Sequence, residues 1–162
     1  MNPQLIVRRV LESEWPIYRE LRLNALKLAP EAFTSKYADA IKLSDSEWQA
    51  RVRRFAVDPK TVNLIAFLHE QPAGMVSCYI TNRADMVQMW VEPFARKQKV
   101  GKALVHELKA WVKQAGENSL TAAVTKENAA ALNLYEQLGF EPIPLSDAAQ
   151  TRGCEIELNC QL

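Results

Sequence analysis

Apolar residues along this chain switch between two spacings, and the switches mark the elements. A partly apolar run, Leu5 to Val10, reads as a first strand. Helical spacing then takes over to about Leu28: Ile17, Tyr18, Leu21, Ala25 and Leu28 share one side, while Arg19, Glu20, Arg22, Asn24 and Lys27 fill most of the other. Ser13 is the expected N-cap of this helix, and Pro16 falls in its first turn. Pro30 stops it, and a connection carrying Phe33 and Tyr37 runs to Leu43. Ser44 and Glu47 form a capping box, so a second helix starts there, with Trp48, Val52 and Phe55 on its inner face. Arg51, Arg53 and Arg54 near its end read as a solvated face matched to the helix dipole.

After the turn Asp58-Pro59-Lys60, strands are expected from Leu64 to Leu68 and from Met75 to Ile80, joined as a hairpin through Glu70 to Gly74. His69 reads as a solvated turn residue. A turn over Asn82 to Asp85 leads to the apolar run Met86 to Val91, closed by Pro93. The basic segment Arg96-Lys97-Gln98-Lys99 follows, and Val100-Gly101 opens an amphipathic helix. Its inner face is Val100, Ala103, Leu104, Leu108, Trp111 and Val112, with Lys102, His106, Lys109 and Lys113 outside. Gly116 ends it, Leu120 to Val124 is a buried strand, and Thr125 to Asn128 leads into a last helix with Ala131, Leu134, Tyr135 and Leu138 inward and Gly139 as its C-cap. Pro142 and Pro144 confine the strand that starts at Phe140 to an edge or a bulge. From Cys154 to Cys160 strict alternation puts Cys154, Ile156, Leu158 and Cys160 on one face and Glu155, Glu157 and Asn159 on the other. This order predicts a mixed α/β sheet of the α+β type rather than a repeated strand–helix–strand array.

With 162 residues, a single domain over 1–162 is the expectation. The formal charge of +1 argues against nucleic-acid or membrane-surface partners, so any electrostatic site has to be local. The N-terminal segment has no leader pattern and no apolar run is long enough to span a membrane, which places the protein in the cytoplasm. Cys78, Cys154 and Cys160 lack zinc-site spacing and sit in apolar segments; free thiols, and no metal, are expected.

Met86 to Leu108 is the stretch around which the rest is organised. A strand, a tight loop and a helix start present unpaired N–H groups beside Arg96, Lys97, Lys99 and Lys102. That arrangement suits a phosphorylated ligand, and equally an ordinary turn with a solvated basic patch. Neither the mononucleotide nor the dinucleotide glycine pattern is present.

Two segments together resemble the GNAT family of N-acetyltransferases. Arg96-Lys97-Gln98-Lys99-Val100-Gly101 is similar to the family's pyrophosphate-binding pattern of Arg or Gln, two residues, Gly, one residue, then Gly or Ala. It departs from that pattern at Lys99, where a demand for positive φ would strain a lysine. Asn128 to Phe140 resembles the family's Asn-x-x-Ala-x-x-Leu-Tyr-x-x-x-Gly-Phe motif without departure. The resemblance implies a mostly antiparallel sheet of six to seven strands flanked by about four helices, with acetyl-coenzyme A in the splay between the fourth and fifth strands.

The resemblance also implies roles. Met89, Trp90, Val91, Arg96, Lys97, Gln98, Lys99, Val100, Gly101, Lys102, Asn128, Ala131 and Tyr135 would line the cofactor site. Tyr135 would be the general acid, since a phenol is protonated at neutral pH; its other reading is a core aromatic. Asp85 is the first candidate base, or else a turn residue, with Glu92 and Glu31 behind it. Glu31, Phe33, Tyr37 and Trp90 would wall the acceptor site or serve the core. The implied activity is transfer of an acetyl group from acetyl-coenzyme A to a primary amine of a small molecule, polyamine or peptide, by direct transfer in a ternary complex. The competing reading is a non-catalytic acyl-coenzyme A sensor. A homodimer is compatible with either.

Overall fold

The computed structural model describes residues 4–33 and 35–162. Residues 1–3, where the leader pattern was sought, and residue 34 of the 30–43 connection lie outside them. Strands β1 (Leu5–Arg9), β2 (Thr61–Leu68), β3 (Gln71–Ile80), β4 (Ala84–Val91), β5 (Ser119–Val124), β6 (Glu141–Ile143) and β7 (Ile156–Gln161) form one sheet in the order β1-β2-β3-β4-β5-β7-β6. Every pairing is antiparallel except β4–β5. The helices are α1 (Trp15–Leu28), α2 (Tyr37–Ala40), α3 (Asp45–Val57), α4 (Val100–Gln114), α5 (Ala129–Gln137) and α6 (Asp147–Thr151). The expected α+β sheet is therefore present with seven strands, and two short helices, α2 and α6, join the four that periodicity shows. Helices of four and five residues contain too few turns to leave a periodic signature.

The sheet is covered on both faces. One core joins Val62, Leu64, Ala66, Val76 and Cys78 of β2 and β3 to Leu104, Val105, Leu108 and Val112 of α4. The other joins Ile65, Met75 and Trp90 to Tyr18, Leu21, Leu26, Trp48, Val52 and Phe55 of α1 and α3. The Ser44 capping box forms as read, with Glu47 N–H donating to Ser44 Oγ at 3.2 Å. At the other end of α3, Arg9 donates to the carbonyls of Phe55 (2.9 Å), Asp58 (2.7 Å) and Thr61 (2.9 Å). A cation from β1 thus satisfies groups that a helix end leaves open.

Several local expectations are corrected. The α1 N-cap is Glu14, because residues Glu12–Glu14 form a 3-10 turn that pushes the helix start past Ser13. On α1, Leu26 is buried and Leu28 exposed, and Arg22 is buried although its spacing assigns it to the outer face. The β2–β3 hairpin turns on two residues, His69 and Glu70, both left-handed (φ 50° and 68°), and Leu68 pairs with Gln71. That geometry suits the twist of the strands, so Gly74 lies within β3 rather than in the turn. Asp85 belongs to β4, paired with Tyr79 and Thr121. Lys109 is not a free outer residue: its ammonium donates to the Leu138 carbonyl and lies 5.2 Å over the Phe140 ring, tying α4 to the end of α5.

Glu157, placed on the polar face of the last strand, is fully buried. It accepts from the Ser146 N–H (2.8 Å) and hydroxyl (3.3 Å) and pairs with Arg83, which also binds Asp85 at 3.0 Å. Burial pushes its carboxyl up, but the Ser146 and Arg83 donors outweigh this and hold it below the usual carboxylate range. A carboxyl depressed in the folded state stabilises above its unfolded pKa and loses that contribution as pH falls through the folded value. Glu157→Gln is expected to cost about 2 kcal/mol at pH 7 by leaving buried donors poorly matched. Urea midpoints should show the gap between wild type and variant narrowing below about pH 4.5.

Candidate functional site

The site begins with a fault in β4. Met75 pairs with Trp90 and Ser77 with Val87, so Gln88 and Met89 stand opposite the single residue Val76. This is a β-bulge, with Gln88 at φ 57°. The extra residue reverses the facing of the strand: Met86 points into the α4 core and Trp90 into the α1–α3 core. A buried polar chain fixes the bulge, Asn63 donating to Ser77 Oγ (2.9 Å) and both Ser77 (2.9 Å) and Tyr18 (3.1 Å) donating to Gln88 Oε1.

Just before the bulge β4 and β5 separate. They pair at Asp85↔Thr121 and Met86↔Ala122, after which β5 continues alongside β7 to Val124. The backbone of β4 past Met86 therefore faces a gap rather than a neighbouring strand, the condition under which peptide N–H groups can serve a ligand.

A groove of about 740 Å³ enters this gap. Along one wall run Met89, Trp90, Val91, Arg96, Lys97, Lys99, Val100, Gly101 and Lys102. Lys97 and Lys99 are left-handed, at φ 61° and 66°, and Lys99 is the N-cap of α4. Left-handed residues before a helix turn successive N–H groups to one side, which with the helix dipole makes a cradle for phosphate. Lys99 therefore occupies the conformation that glycine adopts without strain. Lys99→Gly is expected to raise stability by about 1 kcal/mol, the relief of left-handed strain less the entropy a glycine loses on folding; the urea midpoint reads it. A Cβ on Gly101 would stand 3.1 Å from Leu134, so the glycine lets α5 approach the start of α4.

The other residues expected on the cofactor side divide. Arg96 donates to the Val91 carbonyl at 3.3 Å and its guanidinium lies 5.1 Å over Trp90. Gln98 does not line the groove; its amide donates to the Phe94 carbonyl at 3.0 Å and braces the loop. Asn128 caps α5, its side chain accepting from Ala131 N–H at 3.3 Å, and lines the groove together with Ala131.

Ala32, Phe33, Met89, Asn128 and Ala131 also line a second, inner cavity of about 300 Å³, so groove and cavity meet there. Tyr135 lines the inner cavity, 4% exposed, its ring 5.5 Å from Phe140; burial pushes its phenol above the ordinary value. Arg22, Ser35, Tyr79 and Gln88 line the inner cavity as well, and these same four line a third cavity of about 500 Å³ that continues to Arg51, Arg54 and Thr61.

The three candidate bases are not brought together. Asp85 is engaged by Arg83 and lines neither the groove nor the two cavities; burial raises its carboxyl, partly offset by Arg83 and Arg152. Glu92 is buried beside α1, accepting from Asn24 Nδ2 at 2.7 Å. Glu31 alone lines the groove. Phe33 lines both groove and inner cavity, Trp90 the groove, while Tyr37 packs beside the α1–α3 core. Sequence reasoning missed Gln88, Arg22, Tyr79, Arg152 and Cys154, which all line the inner cavity. A positive φ at Gln88 has no residue signature, and Arg22 follows the period of its helix's polar face.

Cys78, Cys154 and Cys160 are free thiols. Burial pushes Cys78 up to about 12. Among the described residues no helix is long and apolar enough to cross a membrane.

Comparison with curated proteins yields no match. Solved structures agree in fold. A GCN5-related N-acetyltransferase from Kribbella flavida is 22% identical with a TM-score of 0.75, 98% of each chain being covered. An acetyltransferase of the GNAT family from Streptococcus pneumoniae is 19% identical with a TM-score of 0.73, covering 98% of this chain and 99% of that one. PaiA N-acetyltransferase from Thermoplasma acidophilum, in complex with coenzyme A, is 16% identical with a TM-score of 0.69 over the whole of both chains. The sequence pattern of the acetyltransferase (GNAT) family matches residues 11–140, and the chain belongs to that family.

Proposed function

We propose that the protein transfers the acetyl group of acetyl-coenzyme A to a primary amine, directly, with both substrates bound at once. The observation that carries this reading is the continuity of the site: a phosphate cradle at Lys97 to Lys102, a groove into the β4–β5 gap, and Tyr135 in a cavity that opens onward. The coenzyme A bound to the structurally similar Thermoplasma enzyme supports the choice of acyl donor.

In this reading Lys97, Lys99, Lys102 and the first N–H groups of α4 hold the pyrophosphate. The bulged segment of β4 offers backbone N–H to the thioester oxygen as it gains charge. The amine nitrogen bonds to the acetyl carbon, the carbon–sulfur bond breaks, and Tyr135 gives its proton to the departing thiolate. Among the described residues no Asp, Glu or His lines the inner cavity. Arg22 and Arg152 do, and their charge favours the free-base form of a bound amine, so its proton leaves to water at or before attack.

The test is release of free thiol from acetyl-coenzyme A over a panel of amines. Acceptor-dependent release supports the enzyme. Tight cofactor binding with no turnover for any acceptor returns the alternative, a non-catalytic sensor.

A further inference from the structure

Arg22 is an unusual charge. It is only 5% exposed, and its Nε and Nη1 are buried without a hydrogen-bond partner among the described residues. Its guanidinium lies 5.1 Å over the Phe33 ring. The groups that act on it electrostatically are Tyr18, Tyr79 and Arg51, none of them a carboxylate. A buried guanidinium without an anion is costly to hold, and the cost is met when a ligand brings the anion.

The surroundings fit that ligand. Arg22 lines both the inner cavity, with Tyr135 and Met89, and the adjoining one, where Arg51 and Arg54 are added. No Asp or Glu lines either cavity among the described residues. With Oε1 of Gln88 occupied by Tyr18 and Ser77, the amide nitrogen of that residue is the donor left to a ligand. Volumes of about 300 and 500 Å³ suit a small molecule. The planar fork of a guanidinium matches a carboxylate, and an all-cationic lining repels a polyamine or a lysine-rich peptide.

We infer that the acceptor is a small amine that also carries a carboxylate, with Arg22, supported by Arg51 and Arg54, holding the carboxylate while the amine faces Tyr135. This deepens the acetyltransferase reading and rests on it.

Two measurements separate the inference from the reading beneath it. First, thiol release is followed with free amino acids, their carboxamides, phosphoethanolamine and spermidine. The expected result is kcat/KM at least 100-fold higher for an acid than for its amide, with spermidine inactive. Equal rates for acid and amide, or a preference for spermidine, overturn the inference and leave the acetyltransferase standing; a preference for phosphoethanolamine reassigns the anion to phosphate and overturns the carboxylate. Second, N-acetylglycine and N-acetylglycinamide are titrated into the coenzyme A complex, which needs no turnover. The acid is expected to bind at least tenfold tighter, and Arg22→Lys and Arg22→Gln to abolish that difference while leaving coenzyme A affinity unchanged. Arg51→Gln, at an exposed position that does not endanger the fold, is expected to reduce the difference three- to tenfold. Equal binding of acid and amide, or binding of neither, overturns the inference.

Discussion

Tyr135→Phe is expected to lower kcat by two to three orders of magnitude, while coenzyme A affinity stays within about twofold, as general acid catalysis of this kind contributes about 10²–10⁴. The variant removes one oxygen and keeps the ring, so the contact with Phe140 and the packing of α5 persist. A purely structural tyrosine would lose little or no rate on that change. The pH profile sharpens the distinction. Burial raises the Tyr135 phenol above its ordinary value, so the protonated, donating form persists through and beyond neutral pH. A general acid that keeps its proton gives no alkaline fall, whereas the acceptor amine must lose one before attack. The wild-type kcat/KM is therefore expected to climb with pH as the amine deprotonates, with no alkaline fall up to about pH 10. A fall in rate between pH 8 and 9 would assign the proton to another group.

Most of the scaffold is legible in the residues because it is written in local chemistry. The Ser44–Glu47 box, the glycine at 139 (φ 92°) and the apolar faces of α3 and α4 each state their structure within one or two turns of chain. The loop at Lys99 is a sharper case. The departure from the family pattern predicts strain if the backbone is left-handed there, and at φ 66° it is. The inner cavity is much less legible. Phe33, singled out in the sequence, lines both groove and inner cavity, while Arg22, Tyr79, Gln88 and Arg152 converge from three strands or helices and a loop far apart in sequence. Periodicity gives each residue a face of its own element; it does not say that a bulge four residues before Glu92 will reverse a strand. Asp85 illustrates the same limit. It sits at the start of the central strand, where the resemblance leads one to expect a carboxylate, yet Arg83 and Glu157, the latter 74 residues away from Arg83, draw it into an ion-pair cluster.

Gly74→Val is expected to destabilise the fold by about 3 kcal/mol or more and to abolish activity in whatever fraction stays folded, an overpacking effect at the upper end of its usual range. Even the first carbon is excluded. A Cβ at this position would lie 2.6 Å from the Trp90 carbonyl oxygen, with Leu104 and Val100 both at 3.3 Å. A side-chain neighbour could turn away, but the Trp90 carbonyl belongs to backbone just past the bulge. Moving it shifts the segment whose N–H groups face the β4–β5 gap, and pressure on Val100 reaches the first residue of α4, beside the phosphate cradle. Gly74→Ala should therefore separate the two consequences. With one methyl rather than three carbons, stability is expected to fall by about 1–2 kcal/mol, while kcat drops out of proportion because the bulged strand beside the groove has moved. Urea midpoints and single-turnover acetyl transfer on the same preparation give both numbers. Equal tolerance of alanine in stability and in kcat would show that the close approach of β3 to Trp90 serves packing alone and has no part in aligning the reacting groups.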